Sequence, residues 1–228
     1  MPSVSYPNGT RSKSYNRYVP PGLYRFAGSI TVPPGVSLVG SYQVVPSHDL
    51  RGGQPLDDGT ILIPTAGRGV ECDINCTAAF ITVTENALVK GLVILYDEQE
   101  RVNTPVAYPW ALFLGDPEKF YSASGSADNA AVEDVELLGA WNGIAAVSAH
   151  RHYIARVQGQ PLNIGVFVDA TYDIGRIEDV HFNPWFSSAK PFVYYQTTHG
   201  RAFVFGRSDW EYVFNTFVRS ALQLPTTR

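Results

Sequence analysis

The stretch IEDVHF (177–182) superimposes on three others in the chain: VKGLVI (89–94), VEDVEL (132–137) and IARVQG (154–159). Taken alone within GRIEDVHFNPW (175–185), it gathers two carboxylates, a histidine, an asparagine and a tryptophan, the residue types of an acid–base or metal site. Taken in register, it is one rung of a repeat. The four pieces start 43, 22 and 23 residues apart, the first gap being close to two periods of the others. A period near 22 with two or three strands per repeat predicts a parallel β-solenoid, in which each coil stacks on the last.

The rest of the chain agrees with that reading. Helical periodicity is nearly absent, and short β-branched and aromatic runs (YRFAGSITV, GTILI, FITVT, VFVDA, AFVFG) recur between Gly, Pro, Asn and Asp punctuation. That pattern predicts an all-β protein. Three longer segments, at 80–94, 144–159 and 166–182, each read as a strand, a short polar turn and a second strand. Two regions break the rhythm, 97–129 and 184–200, and are expected to form long loop excursions. The expected organisation is an N-terminal extension over 1–19, one domain over 20–218 and a tail over 219–228.

Stacking the six-residue pieces gives each column a role. The first and fourth positions (Val89/Leu92, Val132/Val135, Ile154/Val157, Ile177/Val180) are apolar and should fill the core. The third column holds Gly91, Asp134, Arg156 and Asp179. Gly and Asp tolerate the left-handed backbone, so this column predicts a bend and makes Asp179 a corner residue, with Arg156 fitting less well. The fifth column (Val93, Glu136, Gln158, His181) should point away from the core. With rungs about 4.8 Å apart, Glu136, Gln158 and His181 would form a polar ladder on an outer face. Gln160 and Asn183 extend that face, with Trp141 and Trp185 just beyond.

Composition removes several functions. Apolar residues make up 45% of 228, enough for a real core, while charged residues are 17% and the formal net charge is −4. No basic stripe is available for a phosphate backbone, so no nucleic-acid partner is expected. The apolar runs are too short to cross a bilayer, and no membrane partner is expected. The N-terminus carries no apolar signal-peptide core, which leaves the compartment open because a cleaved signal would precede it. Cys72 and Cys76 in ECDINC fit either a short-loop disulfide or two reduced thiols, and they cannot complete a zinc site without further ligands. HRH (150–152) falls in a turn column with Glu85–Asn86 and Tyr172–Asp173, where a polar turn is the expectation rather than a metal pair. No metal and no cofactor are expected, and no GxGxxG or P-loop is present.

The opening stretch PPGLYRFAGSITVPPGVSLVGS (20–41) adds a resemblance. Pro21, Gly22, Tyr24, Ile30, Pro33, Gly35, Val36, Leu38 and Gly40 match the opening coil of pectate-lyase-like, right-handed parallel β-helix proteins. With the later coils the resemblance spans roughly residues 18–218. It implies a right-handed β-helix and, since the superfamily includes lyases, glycoside hydrolases, epimerases and tail spikes, a carbohydrate-related role at an extracellular or cell-surface location. The Asn-Thr-Asp, Gly-His-Gly and Arg-Ile-Lys motifs of the polygalacturonase-type branch are missing, as is the Arg-x-Pro-x-x-Arg motif of the pectate lyase branch.

The expected fold is thus a right-handed parallel β-helix of about 22-residue coils with two long excursions. Gln158, Gln160, His181 and Asn183, flanked by Trp141 and Trp185, are the expected binders of a polysaccharide: planar rings cover pyranose faces, while amides and imidazole bond hydroxyls. The expected function is that of a polysaccharide-active enzyme working through this outer face and the loops, a glycoside hydrolase being favoured over a lyase. Glu136, Asp169, Asp209 and Glu211 then supply the acid and the second carboxylate. The alternative is a non-catalytic structural or adhesive module of tail-spike type. In that case a second copy could cover a helix end that lacks a cap.

Overall fold

The computed structural model describes residues 15–42, 59–100, 103–122 and 125–219. Sixteen strands follow in chain order: β1 Tyr15–Tyr18, β2 Gly22–Phe26, β3 Ile30–Val32, β4 Val36–Val39, β5 Thr60–Pro64, β6 Ala79–Val83, β7 Leu88–Leu95 and β8 Trp110–Leu114. Then come β9 Ala131–Leu138, β10 Asn142–Val147, β11 Tyr153–Gly159, β12 Ile164–Asp169 and β13 Gly175–Phe182. After helix α1 (Lys190–His199) the chain closes with β14 Arg201–Phe205, β15 Glu211–Phe214 and β16 Phe217–Val218. No helix among the described residues is long and apolar enough to cross a membrane.

Every pairing between these strands is parallel. They form two sheets, β1-β4-β7-β9-β11-β13-β15 with β2, β5 and β16 alongside, and β14-β12-β10-β8-β6-β3. From β5 to β15 the chain alternates between the sheets, so each strand pairs with its counterpart one circuit away. This all-β, two-sheet parallel architecture is compatible with a β-helix.

The register reproduces the four-piece alignment. Val89, Val132, Ile154 and Ile177 lie side by side, as do Leu92, Val135, Val157 and Val180. All eight are buried in the central core. The spacing between the first two pieces needs correction, because β7 pairs directly with β9. The 43-residue gap is one circuit, not two, and it is long because it holds an insertion. Part of the 97–129 excursion is itself wall: β8 takes its place between β6 and β10 in the six-stranded sheet. The segment 1–19 likewise contributes β1, paired with β4.

The third column explains why positions one and four both face inward. Gly91, Asp134, Arg156 and Asp179 have φ of 71°, 52°, 52° and 54°, and Asn215 in the last strand pair has 50°. One left-handed residue interrupts the up–down alternation of a strand and bends it, as a bulge does. The corner expected from Gly and Asp is therefore present, Arg156 included. Its guanidinium reaches back one rung to Asp134 (2.7 Å) and Glu133 (2.6 Å), and Lys90 meets Glu133 at 3.0 Å. The hydrogen bond that Arg156 donates to Asp134, with the charge of that carboxylate, holds Arg156 above its ordinary pKa, and Glu133 does the same for Lys90.

Two further apolar layers lie outside the central core. On the six-stranded sheet, Trp110, Phe113, Phe167 and Val204 are covered by the loop at 72–76 and by Phe120. Cys72 and Cys76 are joined as a disulfide, which closes the alternative left by the sequence. The loop is tied down by Asn142 Nδ2 donating to the Cys72 carbonyl (2.7 Å) and Trp110 Nε1 to the Cys76 carbonyl (3.0 Å). On the other sheet, Ile61, Ile63, Val93, Leu95 and Leu138 pack under Tyr42, Phe186 and Phe192, the last carried by α1.

Candidate functional site

β13 bends at Asp179, buries Ile177 and Val180, and sends His181 outward. One circuit later Asn215 takes the same corner, and its Nδ2 donates to Asp179 Oδ1. β16 then lays Phe217 beside His181 in register. The imidazole sits edge-on between two aromatic rings, 5.0 Å from Trp185 and 4.6 Å from Phe217. Between these strands opens a groove of about 480 Å³, lined by Asp179, His181, Asn183, Asn215, Phe217 and Arg219 among others.

The expected outer ladder is present in register, since Val93, Glu136, Gln158, His181 and Phe217 share one column. Its exposure is not as expected. The column points away from the central core, but the second apolar layer covers it, leaving Glu136 0% and Gln158 1% exposed. Gln158 Nε2 donates to the Tyr42 hydroxyl at 2.8 Å and lies 3.5 Å from Glu136 Oε1. Gln160 is a buried clamp: its amide donates to the Ser187 carbonyl (3.0 Å) and to Gln196 Oε1 (3.1 Å), and accepts from the Ser187 N–H (2.8 Å). Trp185 is buried beneath His181, and half-buried Trp141 rests against Tyr195 of α1 at 5.4 Å. His181 and Asn183 are the two predicted binders that line the groove.

The four candidate carboxylates are dispersed. Glu136 lies under the second layer. Asp169 sits at the end of β12 in the other sheet. There its Oδ1 accepts the N–H groups of Ala170 and Arg207 (2.8 Å each), and its Oδ2 accepts the Tyr121 hydroxyl (3.3 Å). It also borders a smaller cavity of about 250 Å³ with Asp73 and Arg201. Asp209 is exposed, 3.5 Å from Arg207. Glu211 is held by His152 Nε2 (3.0 Å) and accepts from Ser208 Oγ (3.1 Å). The carboxylate that lines the groove is Asp179, which the sequence reading assigned to the corner.

The HRH turn is structural. Asn86, Asn129 and Arg151 form a side-chain chain (2.9 Å each), and Arg151 pairs with Asp128 (2.7 Å) and Asp173 (2.6 Å). The hydrogen bond from Arg151 holds the Asp173 carboxyl below its ordinary pKa. Among the described residues no group of three or more His, Cys, Asp and Glu could hold a metal ion. The residues that sequence reasoning missed are Asn215, Phe217 and Arg219. Their repeat partners lie 36 residues back, because α1 and its loops lengthen the last circuit (Asp179 to Asn215, His181 to Phe217).

No protein-family model, no curated protein and no solved structure matches this chain.

Proposed function

We propose that this chain is a right-handed parallel β-helix of the pectate-lyase-like kind, with coils of about 22 residues, that binds polysaccharide in the groove between β13 and β16. The observation that carries the reading is the set of groups converging there: the imidazole of His181, the amides of Asn183 and Asn215, the ring of Phe217 and the guanidinium of Arg219. A ring that is half exposed offers a face to pyranose C–H groups, while amides supply both donors and acceptors to hydroxyls. The opening-coil resemblance supports the fold, and the Cys72–Cys76 disulfide fits an oxidising, extracellular setting.

Binding without catalysis is the form that the geometry favours. Hydrolysis by a carboxylate pair needs the two groups about 5–10 Å apart across the bond to be cut. None of Glu136, Asp169, Asp209 and Glu211 borders the groove, where Asp179 is the carboxylate. A hydrolase would have to recruit Asp179 as its acid.

A glycan array followed by product assays tests this. His181→Ala and Asn183→Ala should each weaken binding of the retained glycan about tenfold, the effect of removing one or two hydrogen bonds and a ring contact. Unchanged binding in both variants would overturn the groove assignment. New reducing ends would mark a hydrolase, and ultraviolet-absorbing unsaturated ends a lyase. Binding without either product supports the module reading.

A further inference from the structure

The last circuit carries a row of exposed aromatic rings at positions that the middle circuits fill mostly with charged or small residues. Tyr212 shares its outward column with Leu88, Ala131, Tyr153 and Arg176, and Phe214 shares the next with Lys90, Glu133, Ala155 and Glu178. Most of those earlier positions hold charged or small residues suited to a solvated wall. Here the rings are Trp210, Tyr212, Phe214 and Phe217, exposed to 65%, 55%, 48% and 51%. Val213, between Tyr212 and Phe214, belongs to the inward column of Ile177. The rings therefore stand on the outer wall of the sheet. A run of exposed aromatics of this size marks a binding surface.

Resting on the carbohydrate reading, we propose that this row is a stacking platform that extends the groove to hold several units of a β-linked, ribbon-like hexopyranose chain. Tyr212 and Phe214 are two residues apart on one strand, so their rings are spaced about 7 Å along it. The row rounds the corner at Asn215 and reaches Phe217, which is also a wall of the groove. A single polymer can therefore run from one to the other. Every large ring in the row is planar and no Leu, Ile or Met joins it, which suits flat ligand faces better than the irregular surface of a protein. Chains with equatorial linkages present axial C–H groups on both faces and lie flat on such rings. Chains with axial linkages coil and meet few of them.

The test is calorimetric binding of cellohexaose and mannohexaose, with maltohexaose as the coiled control, together with the matching disaccharides. Tyr212→Ala combined with Phe214→Ala should lower hexasaccharide affinity roughly 5- to 100-fold, from two lost stacking contacts. Disaccharide binding in the groove should stay unchanged, which also shows that the variant is folded. Tyr212→Phe should retain wild-type affinity, and His181→Ala should weaken both ligands. The platform is overturned, and the groove left standing, if the double variant binds the hexasaccharide normally while His181→Ala does not. It is overturned together with the groove if the wild type binds none of these sugars. Equal or tighter binding of maltohexaose overturns the ribbon-like ligand. A wild-type dimer that the double substitution converts to monomer overturns the platform by making the row a contact between copies.

Discussion

Five residues at one corner, Gly91, Asp134, Arg156, Asp179 and Asn215, hold the left-handed backbone that bends β7, β9, β11 and β13 and turns β15 into β16. Gly and Asp in one column made the corner legible in the sequence. Arg156 did not fit by propensity, and its place is secured instead by ion pairs to the rung before it. Asn215 was hidden by the lengthened last circuit. Gly91 is the corner with no room for a side chain: an added Cβ would lie 2.8 Å from the Gly40 carbonyl and 2.9 Å from that of Tyr42, at φ +71°. Gly91→Ala should therefore cost about 1–3 kcal/mol in urea unfolding, combining left-handed strain with displacement of backbone. A loss near zero would mean that the N-terminal strands yield easily. Tyr108 supplies a pH dependence. Burial, aided by the charge of Glu98, pushes its hydroxyl up to about 12 from 10.0. The folded pKa is raised, so the contribution is complete below pH 10 and lost as pH rises through about 12. Stability should fall by roughly 2–3 kcal/mol across that window. The decline should be shallower in Tyr108→Phe, as read from urea midpoints at each pH.

At the level of elements, α1 is the piece that the sequence concealed. KPFVYYQTTH is rich in β-branched and aromatic residues, poor helix formers that read as strand. Its N-terminus has no side-chain cap, and only Phe192 and Gln196 are buried. Tertiary contact therefore holds the helix: Phe192 enters the second apolar layer, and Gln196 Nε2 donates to the Pro161 carbonyl at 3.0 Å while its oxygen accepts from Gln160. Gln160 was read as a sugar ligand because an outward amide in a strand ordinarily meets solvent. What one sequence could not show is that a segment 27 residues later returns to cover it. Gln160→Leu should strand the Ser187 N–H and the Gln196 amide oxygen, destabilising the protein by about 2–4 kcal/mol. Hydrogen exchange should show the loss concentrated at 184–199, with β9 and β11 protected as before. Uniform loss of protection would mean that the helix is integral to the sheet rather than clipped onto it.

For the whole molecule, the legible part was the inward pattern, because each circuit repeats the same apolar positions and a repeat reports itself. The outer layers do not repeat. The cover over Glu136 and Gln158 comes from Tyr42, Phe186 and Phe192, which lie outside the repeat, so no column could announce it. The same division governs stability. In a stack of rungs each residue is supported by its neighbours above and below, so a central position is backed on both sides and a terminal one on a single side. Val157 lies between Val135 and Val180 and is fully buried, whereas Val213 contacts Ile177 on one side and remains 40% exposed. Val157→Ala removes two buried methyl-sized groups and leaves a cavity that close packing cannot refill, costing about 2–3 kcal/mol. Val213→Ala should cost less than about 1 kcal/mol, since much of its surface is already in water. Paired unfolding curves measure the difference. Equal losses would place a further layer of packing against Val213, and the last circuit would then be an interior rung rather than the rim on which the aromatic row stands.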